Sequence, residues 1–189
     1  MHLGSQGSVT LTSDGRFLLV TNAGSNDVAV FAVRHDGLEL VRTTPSDGVG
    51  PVSVTEHDSL VYVLNSGDPG LAGFTLDADG LHMVPGSRRD LAAGADPAQV
   101  GFSPDGATVV VTQRGTNSLL SFPVDQSGVL GDPREIASSG QTPVRLHLCR
   151  QPNTGGDGGF RRPGREGRRL LLPVDRARTG PGVPVRGQH

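Results

Sequence analysis

Lysine and tryptophan are absent from this 189-residue chain, tyrosine and cysteine occur once each, and aromatic residues make up only 4% of it. The single cysteine, Cys149, rules out a disulfide framework within one chain. No run approaches the roughly 18 apolar residues of a membrane-spanning helix. Met1-His2-Leu3-Gly4-Ser5 lacks the basic and apolar regions of a signal peptide. A soluble, cytoplasmic chain with no membrane partner is therefore expected. The sequence also lacks a Gly-x-Ser-x-Gly elbow, a phosphate loop and a Gly-x-Gly-x-x-Gly after a strand. Nucleophilic and nucleotide-dependent chemistry have no support, and no cofactor is expected.

What is present is glycine, 28 residues of it, and charge of two kinds kept apart. Up to Pro143 the chain carries 7 Arg against 16 Asp and Glu, a net of −9; the last 46 residues carry 10 Arg against 3, a net of +7. Many glycines and few aromatics indicate thin strands joined by turns. Residues 96–125 show the pattern in full. Val100 and Phe102 alternate with small residues, Ser103-Pro104-Asp105-Gly106 turns, residues 108–112 form a β-branched run, and a third strand follows to Val124. The same order of parts occurs at residues 8–41 and 50–84, each copy adding a short fourth strand after Asp36-Gly37 or Asp79-Gly80. Matching Phe31, Phe74 and Phe122 gives repeats of 43 and 48 residues. Four strands in about 40–50 residues is the signature of propeller blades. The expected fold is all-β, a partial β-propeller of about three four-stranded antiparallel blades at about 7–42, 50–85 and 96–135, followed from 144 to 189 by an irregular tail.

The stretch Thr12-Ser13-Asp14-Gly15-Arg16-Phe17-Leu18-Leu19-Val20-Thr21-Asn22-Ala23-Gly24-Ser25-Asn26-Asp27-Val28-Ala29-Val30-Phe31 resembles the repeat of the lactonase-type seven-bladed β-propellers, relatives of 6-phosphogluconolactonase and carboxymuconate cyclase. Ser103-Pro104-Asp105-Gly106 repeats its turn. The resemblance covers about residues 5–143, three of seven blades, and so implies a truncated propeller. It implies a full-length parent that hydrolyses a sugar-derived or other lactone by water attack on the ring ester. A non-catalytic binding or scaffold propeller is the rival reading, and a pseudogene product without function is a third. The family's His-containing segment has no counterpart, because Pro51-Val52-Ser53 and Pro97-Ala98-Gln99 stand where a His would follow the blade-opening proline. No catalytic residue is carried over.

Propeller ligands commonly meet the inner edge of each blade's first strand, where the repeat places Ser8, Ser53 and Gln99. Asn22, Asn65 and Gln113 end the second strands. These six can hydrogen-bond a sugar or lactone, or they can cap strand ends, the reading their residue types favour. His35, His57 and His82 fall in or near turns and read as surface residues. His147 and Cys149 lack the further ligands a zinc site needs, so no metal is expected. The cluster Arg161-Arg162-Pro163-Gly164-Arg165-Glu166-Gly167-Arg168-Arg169 has only Phe160 beside it as an aromatic, and no nucleic-acid partner is inferred.

Gln141-Thr142-Pro143 resembles the blade openings Gly50-Pro51 and Asp96-Pro97, so a fourth copy is expected there. Instead the alternation stops. Dropping one base from degenerate codons for residues 144–160 permits a blade-like sequence, which points to an out-of-frame translation of a GC-rich gene from about Val144. An array of three blades also leaves two blade faces open. With about six large apolar side chains on each, the cost is on the order of 10 kcal/mol per face, and an isolated chain that is aggregated, transient or dependent on self-association through open faces is expected.

Overall fold

Short apolar runs at residues 28–30, 61–63 and 109–111 lie at the centre of three sheets, where β-branched side chains suit a surface packed on both sides. In the computed structural model, which describes residues 6–148, the first sheet orders β1 (Val9–Leu11), β2 (Phe17–Asn22), β3 (Asp27–Arg34) and β4 (Gly37–Pro45). The second orders β5 (Pro51–His57), β6 (Leu60–Asn65), β7 (Gly70–Asp77) and β8 (Gly80–Met83), with the two-residue β9 (Arg89–Asp90) also pairing β7. The third orders β10 (Pro97–Phe102), β11 (Thr108–Gln113), β12 (Ser118–Pro123) and β13 (Arg134–Ala137). Every pairing is antiparallel. Each sheet is a blade, and the fold is the all-β partial propeller that the repeat implies. The short β9 is an addition the repeat does not announce.

Blades pack face to face. Phe17, Leu19, Val28 and Val30 of the first meet Val54, Val61, Val63 and Phe74 of the second. Tyr62, Leu64 and Leu71 on the second blade's other face meet Val100, Val109, Val111 and Phe122 of the third. The middle blade is therefore buried on both sides, and β6 is buried at every position but its first. In β2 buried and half-buried residues alternate at the start, because one face of the first blade meets no neighbour among the described residues.

Neighbouring blades are tied along their first strands. Val54 N–H donates to the Gly7 carbonyl at 2.8 Å, Val100 N–H to Ser53 Oγ at 3.1 Å, and Leu146 N–H to Gln99 Oε1 at 2.8 Å. Donors and acceptors both advance by 46 residues, as do Pro51, Pro97 and Pro143. Each proline opening β5 and β10 is followed by a register shift, between Pro51 and Ser53 and between Pro97 and Gln99. Such bulges re-aim a side chain, here the one that accepts the next blade's N–H. Residues 144–148 form no strand, yet Leu146 fills the slot of Val54 and Val100 and lies over Gly101, where a β-carbon would stand 2.8 Å from its methyl.

The crossovers between blades are pinned by asparagines in the left-handed conformation, which Asn tolerates better than other residues with a β-carbon. Asn26 (φ 61°) accepts Ser46 N–H on its carbonyl at 2.9 Å and Gly50 N–H on Oδ1 at 2.7 Å. Asn117 (φ 52°) accepts Ser138 N–H at 2.8 Å and Thr142 N–H at 2.7 Å in the same way. In the second blade Pro69 keeps only the backbone half of the device, from Leu91 N–H at 2.9 Å. Replacing Asn117 by Ala removes one of these bonds and strains the backbone, so Asn117→Ala is expected to lower stability by about 1–2 kcal/mol, read by denaturant titration, with Asn117→Gly losing less.

Candidate functional site

Alternating strand directions bring all six sequence-selected residues to the crossover end of the blades. Ser53 and Gln99 are neighbours there: a β-carbon on Gly7 would lie 3.0 Å from Ser53 Oγ and 3.9 Å from Gln99 Nε2. Asn22, Asn65 and Gln113 stay apart, each at the end of its own second strand. Most are committed to the fold. Asn22 Nδ2 donates to Asp27 Oδ1 at 2.7 Å. Fully buried Asn65 accepts from Ser46 Oγ at 2.8 Å and donates to the Ser46 carbonyl at 3.2 Å. Ser53 and Gln99 hold the next blade, and Ser8 receives Thr21 N–H on its carbonyl at 2.9 Å. Gln113, 2% exposed, accepts from Ser118 Oγ at 3.0 Å and Thr116 Oγ1 at 3.1 Å, while its Nε2 has no partner among the described residues. That amide is the one buried donor of the six still open to an oxygen acceptor.

Sequence reasoning passed over the charged groups at this end. Arg88 Nη2 pairs with Asp68 Oδ2 at 3.0 Å, its Nε with Asp90 Oδ1 at 3.0 Å, and its Nη1 donates to the Asp47 carbonyl. Asp68 Oδ1 in turn accepts Val49 N–H at 2.5 Å. Although burial opposes it, the Val49 N–H and the Arg88 guanidinium hold the Asp68 carboxyl below its ordinary range. Beside Gln113, Arg114 Nη2 meets Asp96 Oδ1 at 2.5 Å and its buried Nε has no partner among the described residues. The Asp-Pro of the blade opening and the Arg after the second strand were visible in sequence; that they pair was not.

At the hairpin end, a cleft of about 400 Å³ opens between the second and third blades, lined by His57, Asp58, Thr75, Asp105 and Asp125 among others. His57 is less exposed than a surface reading implies. Its ring packs on Phe102 at 5.8 Å, and a β-carbon on Gly106 would overlap it. The carboxylates here serve their own turns. Asp105 accepts from Ser103 Oγ at 2.6 Å, and that hydroxyl is the main reason its carboxyl is held low. Asp125 is held low by Ser127 Oγ at 2.6 Å and then by Val129 N–H at 2.9 Å. In the first blade the Thr12 hydroxyl, then Arg16, lower Asp14 to about 2. Carboxylates so held are ionised acceptors at neutral pH and poor general acids. Glu56 replaces this turn in the second blade and reaches across to Ser13 N–H at 2.8 Å.

No group of three His, Cys, Asp or Glu with metal-site geometry occurs among the described residues. Cys149 and the Arg161–169 cluster lie outside them. Two outcomes follow from the geometry. Ser53→Ala leaves Val100 N–H unpaired and buried, so it should cost about 1–3 kcal/mol in a denaturant titration, whereas a serine serving only a ligand would cost almost nothing. Asp14, Asp105 and Asp125, all lowered by folding, contribute stability that is complete above their unfolded value near 4 and lost as pH falls below it, for Asp14 toward about 2. The melting temperature is therefore expected to drop between about pH 4 and 2, and less steeply in Asp14→Asn.

Residues 4–81 match the family described as lactonase, 7-bladed beta-propeller. No curated protein matches the sequence. Among solved structures, the periplasmic gluconolactonase of Pseudomonas aeruginosa is 28% identical, with a TM-score of 0.63 over 76% of this chain and 42% of its own. A protein assigned as a 6-phosphogluconolactonase from Bacteroides fragilis is 24% identical, with a TM-score of 0.61 over 72% and 39%. The hydrazine synthase of Kuenenia stuttgartiensis, 18% identical with a TM-score of 0.57 over 76% and 40%, shares the fold alone. This chain thus spans about two fifths of the structures it matches. Residues 4–81 thus resemble the lactonase-type seven-bladed β-propeller family, and the four-strand repeat with the 46-residue step of its inner strands makes the described chain a partial β-propeller of three blades.

Proposed function

We propose that these blades belong to a propeller that hydrolyses a sugar-derived or other lactone by water attack on the ring ester, and that the chain by itself is inactive. The observation that carries this reading is the family match over residues 4–81, together with 28% identity to a gluconolactonase. Gln113 Nε2, buried and without a partner among the described residues, is the donor at the crossover end that a lactone carbonyl or sugar hydroxyl would satisfy. An attacking base must come from groups outside the six, since Ser53, Asn65 and Gln99 already serve the fold. That commitment favours, as a second reading, a propeller that binds without catalysis. A product without function is the third.

We also infer that the reading frame changes near Val144. Pro143 keeps the 46-residue step, and Leu146 still fills the inner-strand slot in the present frame, so the change falls close to that point. Resequencing across codons 143–160 is the direct test, and a confirmed frame with no blade-coding alternative rejects it. The corrected gene product should open sugar δ-lactones, with or without a phosphate, at a rate pH-stat titration separates from spontaneous hydrolysis, while the present chain stays at background. A complete propeller that binds these lactones without turnover favours the non-catalytic reading instead.

A further inference from the structure

At the crossover end the third blade departs from the second in two adjacent residues. Asn65 ends β6 with its amide closed on both sides by Ser46. Gln113 ends β11 in the matching position, but Leu91 stands where Ser46 stands. Ser46 N–H donates to the Asn26 carbonyl and Leu91 N–H to the Pro69 carbonyl, each at 2.9 Å, and leucine brings no hydroxyl. Gln113 Oε1 is taken by Ser118 and Thr116, which leaves Nε2 buried with no acceptor among the described residues. An open blade face is not the cause. Gln113 shares its side of β11 with Val109 and Val111, which pack on the second blade.

The next residue carries a charge that the other blades lack. Ala23, Ser66 and Arg114 follow the second strands, and Ser66 N–H donates to the Gly50 carbonyl as Arg114 N–H does to that of Asp96, each at 3.0 Å. Gly50 (φ 64°) and Asp96 (φ 44°) thus hold one position, left-handed and followed by proline, where a β-carbon is poorly tolerated. An aspartate kept where glycine suits is backbone strain that calls for a role of its side chain. Its Oδ1 meets Arg114 Nη2 at 2.5 Å and balances the charge of a guanidinium whose buried Nε has no partner among the described residues. Beside this turn runs Ala92-Ala93-Gly94-Ala95, which carries nothing larger than a methyl, and a β-carbon on Gly115 would overlap the Gly94 carbonyl.

We propose that Gln113 and Arg114 form a subsite for an uncharged carbonyl oxygen, that of a neutral sugar lactone, and that Asp96 is the positioning residue that makes it reject phosphorylated and ring-opened acids. The proposal rests on the lactone reading above and narrows it to unphosphorylated rings. Buried donors without acceptors are costly, and an oxygen that accepts from them removes the cost. An anion gains little in addition, because the Arg114 charge is already paired and the chain up to Pro143 carries a net of −9. The ligand reaches the turn by displacing the strap of small residues at 92–95.

Thermal melting and calorimetric titration of the full chain test it, with glucono-δ-lactam as a hydrolysis-resistant isostere that keeps the ring carbonyl, and with the lactam 6-phosphate and gluconate as charged comparators. The lactam should raise the melting temperature, and both anions should bind on the order of tenfold more weakly. Arg114→Met keeps the stem but removes the guanidinium, and should weaken lactam binding about tenfold. Asp96→Asn tolerates the same backbone, and should keep lactam binding while gaining affinity for the 6-phosphate until the preference is lost. Circular dichroism confirms strand content in both variants. A chain that the lactam does not stabilise overturns the proposal. So does 6-phosphate that binds the unaltered chain as tightly as the lactam, an Arg114→Met chain with unimpaired lactam binding, or an Asp96→Asn chain that still rejects the 6-phosphate. Turnover by the frame-corrected product is a separate readout: its absence rejects hydrolysis and leaves lactam binding standing, whereas failure here leaves hydrolysis to donors of other blades.

Discussion

One hydrogen bond, repeated from blade to blade, holds the array in register. The N–H of a first-strand residue has a sheet neighbour on one side only, and burial between blades leaves it no water. It is met each time by an acceptor one blade back, yet the acceptor changes: a backbone carbonyl at Gly7, a short hydroxyl at Ser53, a long amide at Gln99. Gly7 has to lack a side chain, since a β-carbon there would crowd Ser53 Oγ. The identities of these residues are thus set by the distance from one blade to the next before any ligand is considered.

The same bond shapes what the crossover end can do. Polar groups gather there because the strands run alternately, but the fold uses nearly all of them, and the charged residues Arg88, Asp68 and Asp96 are spent on crossovers. Donors without a partner among the described residues remain at Gln113 and Arg114, adjacent residues where β11 runs into its turn. The hairpin end shows a different economy, with carboxylates closed into their own turns by Ser and Thr hydroxyls. A propeller site assembled from several blades draws a few groups from each, which fits a run of blades offering donors but no complete set of catalytic partners.

Strands and turns were legible because their causes are local. A β-branched run such as residues 109–111 and an Asp-Gly turn act within a few residues, and both fall where the sequence places them. The repeat length was less legible: spacing counted on Phe31, Phe74 and Phe122 varies from 43 to 48, while the inner strands step by 46, because insertions collect in the outer strands and crossovers. The repeat puts Ser8, Asn22, Ser53, Asn65, Gln99 and Gln113 near strand ends, where they lie, but does not show their partners. Val100 meeting Ser53, or Glu56 reaching Ser13, joins residues more than 40 apart through packing that no local pattern encodes. His57 was misjudged for a similar reason, since its cover comes from Phe102 and the Gly106 turn of the next blade.

Burial of the second blade on both faces has a consequence for how the molecule opens. Strand pairing stays inside each blade, and packing couples only adjacent ones, so the array behaves as a short one-dimensional chain of coupled units. The second unit has two couplings and the first has one among the described residues. Opening therefore runs from the outside inward, and the amides of β6 and β7 belong to the last and slowest-exchanging part of the structure.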